Sequence, residues 1–258
     1  MPTKIDWADE SWNPITGCSP VSEGCTHCYA KRMADRLKGR YGYPADDPFK
    51  VTFHPDRLDQ PLKWKKPRRI FVSSMGDLFH EDLKDHPINS VFLKMLWADW
   101  HIYLVLTKRP ERMADFISIG TGWRGKMPHV WLGVTAENQA RADERIPILL
   151  QIPAAKHFVS FEPLLEEIII PCEYLTGDYG SQSIHEPFWT IDGPSLDWTI
   201  VGAETGPGAR PMNPDWARSI RDQCKEAGVP FFFKKMGSNQ PTPDDLMVRE
   251  FPRQGGLT

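Results

Sequence analysis

Ile102-Tyr103-Leu104-Val105-Leu106-Thr107-Lys108-Arg109-Pro110 carries the pattern that decides the fold. Five apolar residues stop at a small hydroxyl residue, two bases and a proline. The same pattern recurs along the chain. Ile70-Phe71-Val72 runs into Ser73, Ser74, Met75, Gly76 and Asp77, and Val130 to Val134 runs into Thr135, Ala136, Glu137 and Asn138. His157 to Val159 is followed by Ser160, Phe161 and Glu162, Thr199 to Val201 by Gly202, Ala203 and Glu204, and Phe231-Phe232-Phe233 by Lys234 and Lys235. Short β-branched and aromatic runs read as buried parallel strands. The intervals between them suit crossover helices. Ser11 to Gly17 reads as an additional first strand, weakened by Pro14. Apolar residues three or four apart predict helices over Cys28–Lys38, Pro87–Trp100 and Glu111–Ile119, and over Asn138–Leu150 with a break near Pro147. Asn213-Pro214 reads as a helix start, and Gly228 as that helix's end. Six or seven such units predict an α/β fold: a partial TIM-type barrel with six or seven parallel strands, one domain over residues 1–258. Residues 171–196, rich in Gly, Ser and Pro, read as an insertion.

Composition narrows the class. The chain has 258 residues, 40% hydrophobic and 25% charged, with net charge −3 and five Cys. That supports a sizeable core and argues against disorder. Five Cys is odd and sparse for a disulfide scaffold. No apolar stretch approaches the roughly 20 residues of a membrane span, and Met1 to Trp7 carries no apolar signal core. The expectation is a soluble protein of a reducing compartment, the cytoplasm, with no membrane partner.

In a parallel barrel the C-terminal strand ends share one face, where sites are built. Such a ring would put Asp77, Glu137, Glu162 and Glu204 near Lys108, Arg109 and Lys234. Cys18, Cys25 and Cys28 form Cys-x6-Cys-x2-Cys within 11 positions, with Gly17, Pro20 and Gly24 supplying turns. Three thiols at this spacing favour a soft metal over a disulfide. Zinc would want a fourth ligand, with His27 in reach by sequence. An iron–sulfur cluster on three thiolates would leave one iron open. Cys172 and Cys224 stand apart.

At these residues the sequence resembles the radical S-adenosylmethionine (SAM) superfamily. More narrowly, it resembles an uncharacterised phage and prophage family with the same Cys-x6-Cys-x2-Cys motif. The resemblance rests on Trp12 to Cys18, Cys25 to Tyr29, Phe71 to Phe79, Leu106 to Pro110, Leu132 to Asn138, Ser160 to Pro163 and Gly202 to Gly206. It implies a [4Fe-4S] cluster on Cys18, Cys25 and Cys28, with SAM on the open iron. An external electron donor would drive SAM cleavage, and the resulting radical would take hydrogen from a substrate, a nucleotide or nucleic-acid base being the candidate. It implies SAM contacts from Ser73, Met75, Gly76 and Asp77, and a cation for the SAM carboxylate at Lys108 or Arg109. His27 would stack on adenine, and Glu137, Glu162 and Glu204 are the candidates for ribose or substrate hydroxyls. The superfamily's usual spacing is Cys-x3-Cys-x2-Cys; here the first gap is six.

Two other readings fit the same residues: a non-catalytic iron–sulfur or zinc protein that binds nucleic acid, and a barrel hydrolase using Asp77, Glu137, Glu162 and Glu204 with a divalent metal. Lys63, Lys65, Lys66, Arg68 and Arg69, interleaved with Trp64, are the candidate contact for a phosphate backbone. A solvated turn before a strand explains the same run.

Overall fold

The computed structural model describes residues 5–119, 127–180, 192–237 and 240–253. It divides into two compact units, residues 1–134 with 152–155 and residues 135–151 with 156–258. In chain order the first contains β1 (Glu10–Trp12), β2 (Ile15–Thr16), α1 (Tyr29–Leu37), β3 (Thr52–Phe53), α2 (Gln60–Lys63), β4 (Arg69–Val72), α3 (Asp85–Trp97), β5 (Ile102–Thr107), α4 (Pro110–Ile119) and β6 (Val130–Thr135). The second contains α5 (Gln139–Leu150), β7 (Lys156–Phe161), α6 (Cys172–Thr176), β8 (Trp198–Val201), α7 (Pro214–Ala227) and β9 (Phe231–Phe233).

In the first unit β1, β4, β5 and β6 pair in parallel in that order, with Trp12 opposite Val72 and Val72 opposite Val105. In the second, β7, β8 and β9 do the same, with Phe161 opposite Val201 and Val201 opposite Phe233. Seven parallel strands among the described residues make the α/β class expected. Every residue of β6 is buried, as a strand covered on both faces requires. The first unit's core joins Ile70, Tyr103, Leu104 and Val105 to Ile88, Val91, Phe92 and Met95 of α3, all at 1% exposure or less. In the second, Phe158, Trp198 and Phe232 are buried together with Ala217, Ile220 and Cys224 of α7.

Two expectations change. Pro14 splits the first strand: β1 joins the parallel sheet, while β2 turns away to pair antiparallel with β3. Proline has no N–H to donate to a ladder, so the run cannot continue through it. Pro147, by contrast, does not break α5. Ile146, Leu149 and Leu150 are buried on either side of it, and that packing outweighs one missing hydrogen bond. The start of α7 is as expected: Asn213 accepts from the Asp215 N–H, Pro214 follows, and Gly228 closes the helix in the left-handed region. Of the region 171–196, α6 and an isolated bridge between Asp178 and Asp192 are described, while residues 181–191 lie outside the described residues.

The end of β2 is fixed by a close backbone approach. Gly17 has φ +86°, and a side chain there would run into the Lys50 carbonyl. Gly17→Ala is therefore expected to lower unfolding free energy by about 2 kcal/mol or more, from left-handed strain plus the clash. Urea denaturation checks this; an unchanged midpoint would show that the approach is not rigid.

Candidate functional site

The strand ends of the first unit are stitched together by backbone. Ser73 leaves β4 in the left-handed region, φ +57°, its N–H bonded to Trp12 O at 2.7 Å. The Gly76 N–H closes the turn onto Ser73 O at 3.0 Å. Asn13 Oδ1 holds the turn from outside, accepting from the Met75 N–H at 2.9 Å and Ser74 Oγ at 3.2 Å. The Gly17 N–H then donates to Met75 O at 2.9 Å, and Gly17 bridges Gly76 in parallel. A Cβ on Gly76 would lie 2.8 Å from Gly17 O, which only glycine avoids. This stitch delivers Cys18 to the end of β4.

From there the three cysteines follow one loop. Cys25 ends a short 3-10 turn, Glu23–Cys25, and Cys28 is the N-cap of α1. Tyr29, one residue on, donates its hydroxyl to Ser74 O. All three thiols are unpaired with one another and half-buried. Cys18, Cys28 and Met75 pack on one apolar cluster of Ala30, Ala34, Tyr43 and Phe49. Burial, and then the Asp77 charge, push the Cys18 thiol up to about 11. Burial also raises Cys25, but the Lys108 charge and hydrogen bonds to Val21 and Ser22 outweigh it, so Cys25 is lowered. Soft donors, free and beside cations, are the right chemistry for a thiolate-held metal cluster. Among the described residues, no group of three His, Cys, Asp or Glu side chains is close enough to enclose a metal ion. The donor set therefore fits by type and by shared loop, not by a closed cage.

Arg109 binds this loop to the strand ends. Its guanidinium, 9% exposed as a side chain, donates from Nη1 to Cys18 Sγ at 3.3 Å and to Asp77 Oδ2 at 3.2 Å. Nη2 reaches Ser19 O at 3.2 Å and Ser19 Oγ at 3.0 Å, and Nε reaches Glu81 Oε2 at 2.6 Å. Asp77, 6% exposed, also accepts from Thr107 Oγ1 at 2.8 Å and from the Phe79 N–H at 2.9 Å. His80 is buried behind this group. The Asp82 N–H donates to its Nδ1 at 3.1 Å and the Ser19 N–H to its Nε2 at 3.2 Å, with Ser19 Oγ 2.7 Å from Nε2. Burial, and then Arg109, push His80 below its ordinary value, which keeps it neutral.

The sequence-derived acids of the second unit each have a base of their own. Glu137, fully buried, receives Arg145 Nη1 at 3.1 Å. Glu162 receives Lys234 Nζ at 2.5 Å, and Glu204 is gripped by the Arg210 N–H and Nε at 2.9 Å each. The glycine turn before Arg210 thus presents an arginine bound to an acid. His27 is half-buried between Cys25 and Cys28. The basic run sits at the start of β4, away from the thiol loop at its end. There Arg68 stacks on Trp64 at 5.4 Å and pairs with Glu10, and Arg69 pairs with Asp9 at 3.4 Å. Lys63, Lys65 and Lys66 are exposed. No helix among the described residues is long and apolar enough to cross a membrane.

Sequence reasoning missed Asn13, Ser19, His80, Glu81 and Thr107. Thr107 had a signal, as the small polar residue ending the β5 run. Ser19 and Glu81 are ordinary loop residues 62 positions apart, joined here at 3.1 Å.

The model of a family described as Protein of unknown function (DUF5131) matches residues 2–255, and the chain belongs to that family. No curated protein sequence matches it. Among solved structures, Spore photoproduct lyase complexed with dinucleoside spore photoproduct is similar, with a TM-score of 0.52 at 11% identity over 90% of this chain and 78% of that one. That likeness is one of fold, and it agrees with the partial TIM-type barrel class expected from the strand pattern.

The Arg109 hydrogen bond holds the Glu81 carboxyl at about 2, below its ordinary 4.5. A depressed carboxylate stabilises the fold above its unfolded value, and that stabilisation disappears as pH falls through the folded one. Glu81 is 62% exposed, so the contribution is below about 1 kcal/mol. Glu81→Gln is expected to lower stability above pH 5 and to match wild type near pH 2. A difference that persists unchanged at pH 2 would refute the ion pair's role.

Proposed function

We propose that this member of the DUF5131 family is a radical SAM-type enzyme. Cys18, Cys25 and Cys28 would hold its [4Fe-4S] cluster, and its substrate would contain a nucleotide. The observation that carries the reading is the loop of three free, half-buried thiols stitched to the end of β4 beside Lys108 and Arg109. The fold neighbour is itself a radical SAM enzyme, complexed with a dinucleoside, and this supports the reaction class and the substrate class. When bound, a cluster of this kind supplies one electron, from an external donor, for cleavage of SAM to a radical that takes hydrogen from the substrate.

The chain's own residues have definable parts in this reading. Ser73 offers a hydroxyl that is 4% exposed and has no hydrogen-bond partner among the described residues. Its strained backbone, φ +57°, fixes that hydroxyl at the strand end. An unpaired buried hydroxyl on strained backbone marks a place where a ligand group docks. Here the amine or carboxylate of SAM would complete it. Met75 and Gly76, locked to Gly17, keep the turn beneath it in place. Lys108 is the cation for a carboxylate, since the donors of Arg109 are engaged within the protein. Asp77 anchors Thr107 and Arg109 and thereby supports the site from behind. Glu162 is the most exposed of the three second-unit acids. A hydrolase built on a divalent metal needs carboxylates free to ligate it. Glu137, Glu162 and Glu204 are each neutralised by a base.

Anaerobic reconstitution with iron and sulfide is expected to give a brown protein with about four irons, as a cubane requires. With SAM and a reductant it should release 5′-deoxyadenosine, and Cys18→Ala should abolish the iron. A colourless protein with one zinc, or full iron content in Cys18→Ala, would sink the proposal.

Ser73→Gly separates strain from binding. Relief of the left-handed backbone should stabilise the fold by about 1 kcal/mol in urea titrations, while loss of the hydroxyl weakens SAM binding to the reconstituted protein. Unchanged SAM affinity would remove Ser73 from the ligand contacts.

A further inference from the structure

We propose that Arg109 is a positioning residue for the Cys18 sulfur, holding it by a hydrogen bond and fixing the charge beside it, and is not the partner of a ligand carboxylate. This rests on the reading of Cys18, Cys25 and Cys28 as a metal-binding set.

The geometry points this way because the fork is fully occupied. A guanidinium has five N–H donors across three nitrogens. In Arg109 Nε is taken by Glu81, Nη1 by Cys18 and Asp77, and Nη2 by both oxygens of Ser19. The backbone is held too: the Arg109 N–H donates to Thr107 Oγ1 at 2.9 Å, and that hydroxyl donates to Asp77. One buried carboxylate therefore secures both the start of the loop and the tip of the side chain. A bidentate ligand carboxylate needs two parallel N–H groups. Supplying them would strip Asp77 of its cation in a buried setting, which is costly. A sulfur acceptor makes no such demand, since Nη1 already faces it.

The consequence for a metal follows from charge. Three thiols that lose their protons to a bound metal leave a net negative centre. A fixed cation in hydrogen-bond contact favours that state, and favours it more after the centre gains an electron. Lysine would keep the charge but not the fork, so it could not reach Cys18, Ser19 and Glu81 together.

Cobalt(II) titration of the iron-free full chain tests this through the thiolate-to-cobalt absorption band. Wild type should show the band, Arg109→Gln should weaken cobalt binding about tenfold, and Arg109→Lys should recover part of the loss. Glu81→Gln, which loosens the Nε anchor and the Ser19 Oγ contact at the surface but leaves the Nη1 bond to Cys18, should give a smaller loss and guards against misfolding of the Arg109 variants. In reconstituted protein, Arg109→Gln should lower the cluster's midpoint potential while SAM affinity stays within twofold of wild type. Lys108→Gln should weaken SAM binding and lower the potential less than Arg109→Gln does, since Lys108 acts on Cys25 through charge alone. Unchanged cobalt affinity and potential in Arg109→Gln, with weakened SAM binding, would overturn the proposal and make Arg109 a ligand contact. A wild type without the thiolate–cobalt band would instead refute the three-thiol site, and the proposal with it.

Discussion

A buried guanidinium must be met by acceptors on every side, and in this protein that constraint organises the first unit around Arg109. Cys18 and Ser19 come from one stretch of chain and Asp77 and Glu81 from another, and a single side chain from a third brings them together. Asp77 sits after β4 and Arg109 after β5, so the ion pair joins the ends of neighbouring strands. Removing either partner would leave a charge in a place that water does not reach. The cysteine loop is positioned by this arrangement, because Cys18 and Ser19 are two of the acceptors.

The backbone imposes a second constraint that acts in the same place. Gly17 and Gly76 touch where any side chain would separate them, and Asn13 occupies the donors of the turn between Ser73 and Gly76. The turn is rigid, and it carries Ser73 in a conformation that a serine adopts only under compulsion. Rigid backbone with an unmatched hydroxyl and flanking thiols is costly for stability alone. Such features collect where ligands bind.

Much of this was legible from the chain. The strands lie on the six apolar runs because burial on both faces leaves no room for alternation. The capped start and glycine stop of α7 were equally plain, since those signals are local. Pro14 and Pro147 show the limit. Both remove an N–H, yet one divides a strand and the other sits in a continuous helix, and tertiary packing decides which. The polar ring at the strand ends was legible as a collection of charges but not as a set of pairs. Glu137 with Arg145 is eight residues apart across the start of α5, whereas Glu162 with Lys234 spans 72 positions. A one-dimensional pattern carries no trace of the second kind. Ser19 and Glu81 were invisible for that reason, and Arg109 looked like a free cation because its acceptors are distant in sequence.

The direction of β4 bears on where a nucleotide would be recognised. Four residues of strand span about 13 Å. The basic run precedes Arg69 and the thiol loop meets the strand beyond Val72, so the two lie at opposite ends of it. Arg68 and Arg69 are further committed to Glu10 and Asp9. What remains for a phosphate backbone is three exposed lysines, a solvated surface of the ordinary kind. In the proposed reading, the strand-end contacts of Lys108 and the Ser73 hydroxyl need no contribution from that run. The net charge of −3 supplies no overall long-range attraction for a polyanion, so the proposed nucleotide substrate would have to be held by a few placed donors.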